Sequence, residues 1–244
     1  MCYKVSKPDS EKANRILKKV TVTESEFPDF TGAALVSGFE RPDLPVILQK
    51  NQKYIPVQAT WGLLPFWAAN KADAQKIAIG NLNARSETIF EKASFKNAIL
   101  HGRCIVLTNG FYENQTIGKN KQPYFIYPAE GDILFLAGII EYHPDHSFKP
   151  SVSIITCEGN NLMKNIHNSA QRMPVILNPD RMIEWLHPDI KENDIQNYLT
   201  PCPDEFINAH MVNPRINSLH YAESGTSVCD VWHPQMTDLF GNPA

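Results

Sequence analysis

A cysteine occupies the second position of the chain, Cys2, directly after Met1. Once Met1 is removed, Cys2 carries a free α-amine and a thiol on adjacent carbons. The amine can condense with an aldehyde to a Schiff base, and the thiol can then close on the same carbon to a five-membered thiazolidine. A free α-amine titrates at about pH 8, so a useful fraction is neutral nucleophile at cellular pH. No internal cysteine can do this. By position alone, a cysteine beside a start methionine is more often an ordinary residue, so the chemistry rests on what accompanies it. Glu113 and His167 are groups able to move protons, and Asn83 offers a paired donor and acceptor. Taken singly, each has a structural reading as well: a surface glutamate after a strand, a helix-terminal histidine, a packing asparagine.

The elements that must position these residues read mainly as strands. Strand patterns cover 45–49, 53–58, 103–107, 111–113, 123–127, 133–139, 152–156 and 173–177. Asn109-Gly110 is a hairpin-type turn signal. Helical patterns cover 11–19, with Ala13, Ile16 and Leu17 apolar, and 158–166 and 189–199; Ser86 to Ala93 can start another. Asn178-Pro179 has the form of a helix start, with asparagine as cap and proline in the first turn. Residues 23–44 are turn-rich, and the aromatic run WGLLPFW at 61–67 is interrupted by Pro65. Strands outnumber helices and do not alternate with them, which disfavours a doubly wound fold. The expectation is one α+β domain: a curved, mostly antiparallel, barrel-like sheet with peripheral helices. It is expected to span 1–223, with 224–244 a polar tail that covers the body or frays.

The 244 residues are 43% hydrophobic and 20% charged, enough for one full core. No apolar run reaches the length of a membrane span, and the start MCYKVSKPDSEK has no signal-like segment, so a cytoplasmic protein is expected. Five cysteines at wide spacing, with no CxxC pair, argue against structural zinc and a disulfide scaffold. Neither metal nor cofactor is expected. Cys104 and Cys157 lie in apolar strand-like runs, as packing residues do. A net charge of −3 excludes a generally basic nucleic-acid coat but leaves room for a local basic cleft.

Five segments stand in order along the chain: MCYK at 1–4, WGLLPFW at 61–67, NARSET at 83–88, NGFYEN at 109–114 and IHNSAQRMPVIL at 166–177. Together they resemble the SOS-response-associated peptidase family, also called the abasic-site processing proteins. The resemblance implies a single compact domain with a mixed, barrel-like sheet. It also implies binding of single-stranded DNA and a covalent thiazolidine with the opened sugar aldehyde of an abasic site. Cys2 then matches the family nucleophile, Glu113 the proton-shuttling glutamate of FYE, and His167 the histidine that donates to the sugar oxygen. Asn83 matches the asparagine that orients amine or sugar. Tyr3-Lys4 departs from the glycine and arginine often found after the cysteine, and NSAQ lengthens the usual spacing between histidine and RMP.

DNA-contact candidates are Lys4, Arg85 and Arg103 on phosphate, Arg172 on phosphate or in a core ion pair, and Phe39 and Arg41 from the GFERP loop. Trp61 and Trp67 are stacking candidates, one of them expected in the core. The expected partner is single-stranded DNA carrying an abasic site, near the nucleoid, with no membrane and no obligate protein partner, and the chain acting as a monomer. The resemblance also implies removal of Met1 or reversal of the link, as peptidase, lyase or hydrolase activity. Two other readings stand beside it: a cysteine peptidase or amidase using Cys2 and His167, and a noncovalent single-strand binding module.

Overall fold

The computed structural model describes residues 2–68, 71–145, 147–217 and 228–233. Thirteen strands are β1 (Lys4–Lys7), β2 (Ala33–Ser37), β3 (Asp43–Lys50), β4 (Lys53–Trp61), β5 (Asn83–Arg85), β6 (Arg103–Thr108), β7 (Gly110–Ile117), β8 (Asn120–Pro128), β9 (Leu134–Glu141), β10 (Ser151–Glu158), β11 (Arg172–Pro174), β12 (Ile176–Leu177) and β13 (Ile207–Met211). The helices are α1 (Ser10–Val20), α2 (Lys71–Gly80), α3 (Lys96–His101), α4 (Asn161–Ile166), α5 (Pro179–Leu186) and α6 (Glu192–Ile195).

Two sheets result. In the larger one β10 pairs with β4 and also with β9, so β10, β4, β3, β6 and β9 close into a ring. Closure leaves few unpaired edges, a stable way to end a curved sheet. The β4–β10 pairing is parallel and the other ring pairings are antiparallel. β10 changes partners along its length: its first half lies between β4 and β9, its second half between β5 and β11. The second sheet runs β13-β8-β7-β1-β2, wholly antiparallel. The α+β, barrel-like expectation describes this architecture.

One continuous core joins the ring to the inner face of the five-stranded sheet. It includes Leu44, Val46 and Ile105 from the ring, Val5, Phe111 and Ile126 from the second sheet, and the buried faces of α1 and α5. Helix α1 forms as its pattern predicts: Asp9 caps it by accepting from the Lys12 amide at 2.8 Å, and Ala13, Ile16 and Leu17 turn inward. Asn178 caps α5 through the Arg181 amide at 2.8 Å, with Pro179 in the first turn. Cys104 and Cys157 are buried, as read.

The structure corrects several local expectations. Asn109-Gly110 is not a hairpin turn, because β6 pairs with β3 and β9 while β7 pairs with β1 and β8. The dipeptide is where the chain steps from one sheet to the other. Gly110 is needed for close approach: a Cβ there would meet the Ile126 carbonyl oxygen at 2.4 Å and the Phe125 ring at 2.5 Å. Residues 86–93 form a 3-10 turn at Ser86–Thr88 rather than an α-helix, because the chain bends to bury Ile89 and Phe95. The 173–177 run divides into β11 and β12, which pair with different strands. The 189–199 pattern becomes α6 and a 3-10 turn at Gln196–Tyr198. β1, β2, α2 and β13 carry no strong sequence signal and form through their neighbours.

The expected tail, 224–244, lies outside the described residues except for 228–233. There Val228 is buried in a small second core with Tyr112, Phe125, Val212 and Ile216. The Trp232 amide donates to the Met211 carbonyl at 2.9 Å.

Candidate active site

Cys2 precedes β1, and β1 is the central connection of the site. Its register places Lys4 opposite Tyr112 and Val5 opposite Phe111 on β7. Continuing β7 by one residue reaches Glu113, on the same face as Phe111 and therefore toward the main core. The Cys2 side chain is fully buried and belongs to that same core. Asn83, at the start of β5, donates from Nδ2 to the Cys2 carbonyl at 2.8 Å. Its Oδ1 is buried without a hydrogen-bond partner among the described residues. His167 is the C-terminal cap of α4 and lies 3.7 Å from Glu113, measured from Nδ1 to Oε1. Three separate elements thus meet beside the N-terminal segment: β5 at the Cys2 backbone, β7 through the Glu113 charge on Cys2, and α4 through His167 at Glu113.

The electrostatics follow from burial. Glu113 is 7% exposed, and desolvation pushes its carboxyl up to about 7. A carboxyl poised there can both give and take a proton at neutral pH. Burial, aided by the nearby Glu113 charge, pushes the Cys2 thiol far above its usual range, so it stays protonated. Burial also lowers the His167 pKa, which favours neutral imidazole. His167 Nδ1 lies 2.9 Å from the Arg172 carbonyl oxygen. A carbonyl only accepts, so Nδ1 carries the proton and Nε2 carries the basic lone pair.

Arg172 is itself held in place. Its guanidinium forks onto Glu87 at 2.8 and 3.0 Å and donates to the Thr156 carbonyl at 2.7 Å. Of the two roles read for Arg172, the ion pair is the one the geometry forms; the phosphate role is corrected, because the fork is occupied. Glu87 lies in the NARSET segment, and that place is its sequence signal.

Other expected contact residues lie wholly or partly open to solvent. Phe39 is 57% exposed in the 3-10 turn Gly38–Glu40 and packs on Tyr3, with ring centroids 5.0 Å apart. The Gly38 amide donates to the Tyr3 carbonyl at 2.8 Å, which fastens this loop to the N-terminal segment. Arg41 follows with φ 52°, its side chain half-buried. Arg85 is exposed, and its charge reaches the Tyr3 hydroxyl. Trp67 is exposed and donates from Nε1 to the Ala93 carbonyl at 3.3 Å.

Three expected contact residues lie elsewhere. Trp61 is completely buried, with Nε1 donating to the Leu82 carbonyl at 2.9 Å, so it is the tryptophan that packs the core. Lys4 shares the face of Tyr112, opposite to that of Glu113, and its Nζ donates to the Ile216 carbonyl at 2.8 Å. Arg103 is buried and satisfies helix ends. It donates to Ile99 and Leu100 at the end of α3 and to Trp185 and His187 at the end of α5. Its place at the start of an apolar strand was the available signal.

The family model described as SOS response associated peptidase (SRAP) matches residues 1–219. The chain belongs to the SOS response associated peptidase family. It is 37% identical over 162 residues to the abasic site processing protein YoaM of Bacillus subtilis, covering 65% of this chain and 68% of that protein. It is 35% identical over 183 residues to the abasic site processing protein HMCES of Gallus gallus, covering 65% of this chain and 53% of that one. A solved structure from Bacteroides thetaiotaomicron superposes with a TM-score of 0.80 at 28% identity, covering 95% of this chain and 100% of that one. A Bordetella bronchiseptica protein shares the fold, with a TM-score of 0.73 at 21% identity over 87% of this chain and 100% of that one. This SRAP chain has no helix among its described residues long and apolar enough to cross a membrane.

Proposed function

We propose that this chain senses abasic sites in single-stranded DNA and shields them by a covalent thiazolidine link through Cys2. The observation that carries the reading is that Asn83 bonds the Cys2 backbone, the Glu113 charge acts on the Cys2 thiol, and His167 stands 3.7 Å from Glu113. The names of the relatives YoaM and HMCES support the class of lesion.

Hydrolysis of the Met1–Cys2 peptide bond consumes one water and releases methionine, either at this site or by a separate aminopeptidase. The freed α-amine adds to C1 of the ring-opened deoxyribose aldehyde. Glu113 protonates the departing hydroxyl, and one water leaves as the imine forms. The thiol then adds to the same carbon and passes its proton to the Glu113 carboxylate. The sum is aldehyde plus aminothiol giving thiazolidine plus water. Thiol capture removes the imine before β-elimination can cut the strand. His167 takes the C1 hydroxyl proton at Nε2 as the bond from C1 to the ring oxygen breaks, and the imidazolium so formed gives that proton to the ring oxygen. Asn83, with Oδ1 unfilled beside the Cys2 backbone, is suited to accept from the α-amine.

Arg85, Phe39, Arg41 and Trp67 form the candidate strand-contact set, and one copy of the chain, in the cytoplasm beside the nucleoid, is sufficient for the reaction. The amide-cleaving alternative is less well supported. It needs a thiolate activated by histidine, whereas the Cys2 thiol is buried, kept protonated and directed at the Lys4 carbonyl, 3.9 Å away.

The test is intact mass of Met1-free protein before and after incubation with a single-stranded oligonucleotide holding one abasic site. A stable one-strand adduct, absent in Cys2→Ala, is the expected result. Met1-free protein that yields no adduct refutes the covalent reading.

A further inference from the structure

The segment Asn168–Gln171, which lengthens the spacing between His167 and Arg172, has a use of its own. It folds back on His167: the Ala170 and Gln171 amides both approach the His167 carbonyl, at 3.2 and 2.7 Å. Gln171 sits in the left-handed region at φ 54°, and its carbonyl accepts from the Gly159 amide at 2.7 Å. These bonds close the turn but do not tie it to the strand that carries Glu113. Asn168 does. Its Oδ1 accepts from the Thr116 amide at 3.0 Å and its Nδ2 donates to the Thr116 carbonyl at 2.9 Å. One side-chain amide thus satisfies both backbone groups of a single β7 residue, as a neighbouring strand would.

The strand needs such a partner there. β1 covers β7 only from Gly110 to Tyr112. Past that point the β7 edge opposite β8 has lost its neighbouring strand. Gln115 adds a second tie from this stretch, donating to the Asn165 carbonyl of α4 at 3.1 Å.

From this geometry we infer that Asn168 is a positioning residue, which docks the α4 end onto β7 and thereby sets His167 at its working distance from Glu113. Asn168 directly follows His167, and Thr116 lies three residues beyond Glu113 on the same strand. Each end of the clamp is rigidly linked to one member of the pair. The inference rests on the cross-linking reading for its consequence, but not for the clamp itself. The charged groups acting on the His167 ring from other elements are the N-terminal amine, Glu113 on β7 and Arg172 on β11, and none of them is bonded to the Asn168 side chain.

The experiment uses the full Met1-free chain with Asn168→Ala, and with Ser169→Ala as a control at an exposed neighbour that makes no bond to β7. Asn168 is exposed, so its truncation is compatible with folding. Misplacing a reacting group by about 1 Å costs about 100-fold in rate. The adduct-forming rate of Asn168→Ala is therefore expected to fall by at least about tenfold, while Ser169→Ala keeps the full rate. Binding of an oligonucleotide with a tetrahydrofuran lesion, which has no aldehyde, should be unchanged. In parallel, an NMR titration of the His167 ring should move toward the ordinary histidine value in Asn168→Ala as the ring gains solvent. Unchanged rate with an unchanged titration overturns the inference, as does an equal rate loss in Ser169→Ala. Should the unsubstituted protein form no adduct, the cross-linking reading fails. The titration then decides Asn168 alone: a shift supports the clamp and no shift overturns it.

Discussion

In the proposed reaction Glu113 serves chemistry at the expense of stability. Its carboxyl is raised to about 7 because burial disfavours the charge. In the unfolded chain the same group titrates in the ordinary carboxylate range. The folded state therefore holds its proton more tightly, and the favourable contribution is complete below the unfolded value. It is lost as pH rises through about 7. Replacing Glu113 with glutamine removes that penalty. Glu113→Gln should melt higher than the unsubstituted protein at pH 8, with the gap closing toward pH 4.5. It should also slow adduct formation by about 100-fold or more, the usual weight of a general acid–base group. The pH–rate profile of the unsubstituted protein should bend near 7, and that bend should vanish in the glutamine variant. Thermal melts and a rate series across pH check all three.

At the scale of elements, Arg103 separates binding from support. Its guanidinium collects carbonyls at the ends of α3 and α5, where helices leave acceptors unfilled. It also lies over the Trp185 ring, 5.9 Å from the centroid. Hydrogen bonds from a charged donor are worth about 1.5–3 kcal/mol each, with partial replacement by water when lost. Arg103→Met is expected to destabilise the fold by about 3–5 kcal/mol, as breaking a buried charged network does. The folded variant should bind single-stranded DNA with an unchanged salt slope, because no phosphate contact has been removed. Denaturant melts and a salt titration of binding separate the two effects; a flatter salt slope would return Arg103 to the DNA-contact set. The same scale explains NGFYEN. Its glycine reads as a turn, yet serves to let β7 pass close to Phe125 as the chain changes sheets.

For the whole molecule, the five-stranded sheet has two working faces. Phe111 and Glu113 face the main core and the site, whereas Tyr112 and Phe125 face the second core closed by Val212, Ile216 and Val228. Cys229 joins this cover, with Sγ 2.9 Å from the Tyr112 hydroxyl. We expect a chain ending at Asn217 to lose about 2–3 kcal/mol, the burial of one Val-sized side chain and its neighbours. Its melting temperature should fall, while its folded fraction still forms the Cys2 adduct, since Glu113 lies on the opposite face. Loss of adduct at temperatures where the truncated chain is folded would show that the cover supports the site as well.

Much of this protein was legible from residue order. The α1 pattern, the Asn178-Pro179 start and the apolar strand runs depend on neighbours a few residues away, and these local rules hold wherever the segment lands. The four motifs around Cys2, Asn83, Glu113 and His167 stand out in the sequence by side-chain type, and the fold brings them into one neighbourhood. Other features were decided only by tertiary structure. Lys4, Arg85, Arg103 and Arg172 are alike as cations in sequence, yet only Arg85 stays open to solvent. The other three are spent on a carbonyl, on two helix ends and on Glu87. The hairpin signal at Asn109-Gly110 and the strand run at 173–177 fail for one reason: pairing partners lie far along the chain, and ring closure chooses them. Asn168 belongs to this class. Its role exists only because β1 stops short on β7 and leaves a backbone edge that a side-chain amide can fill.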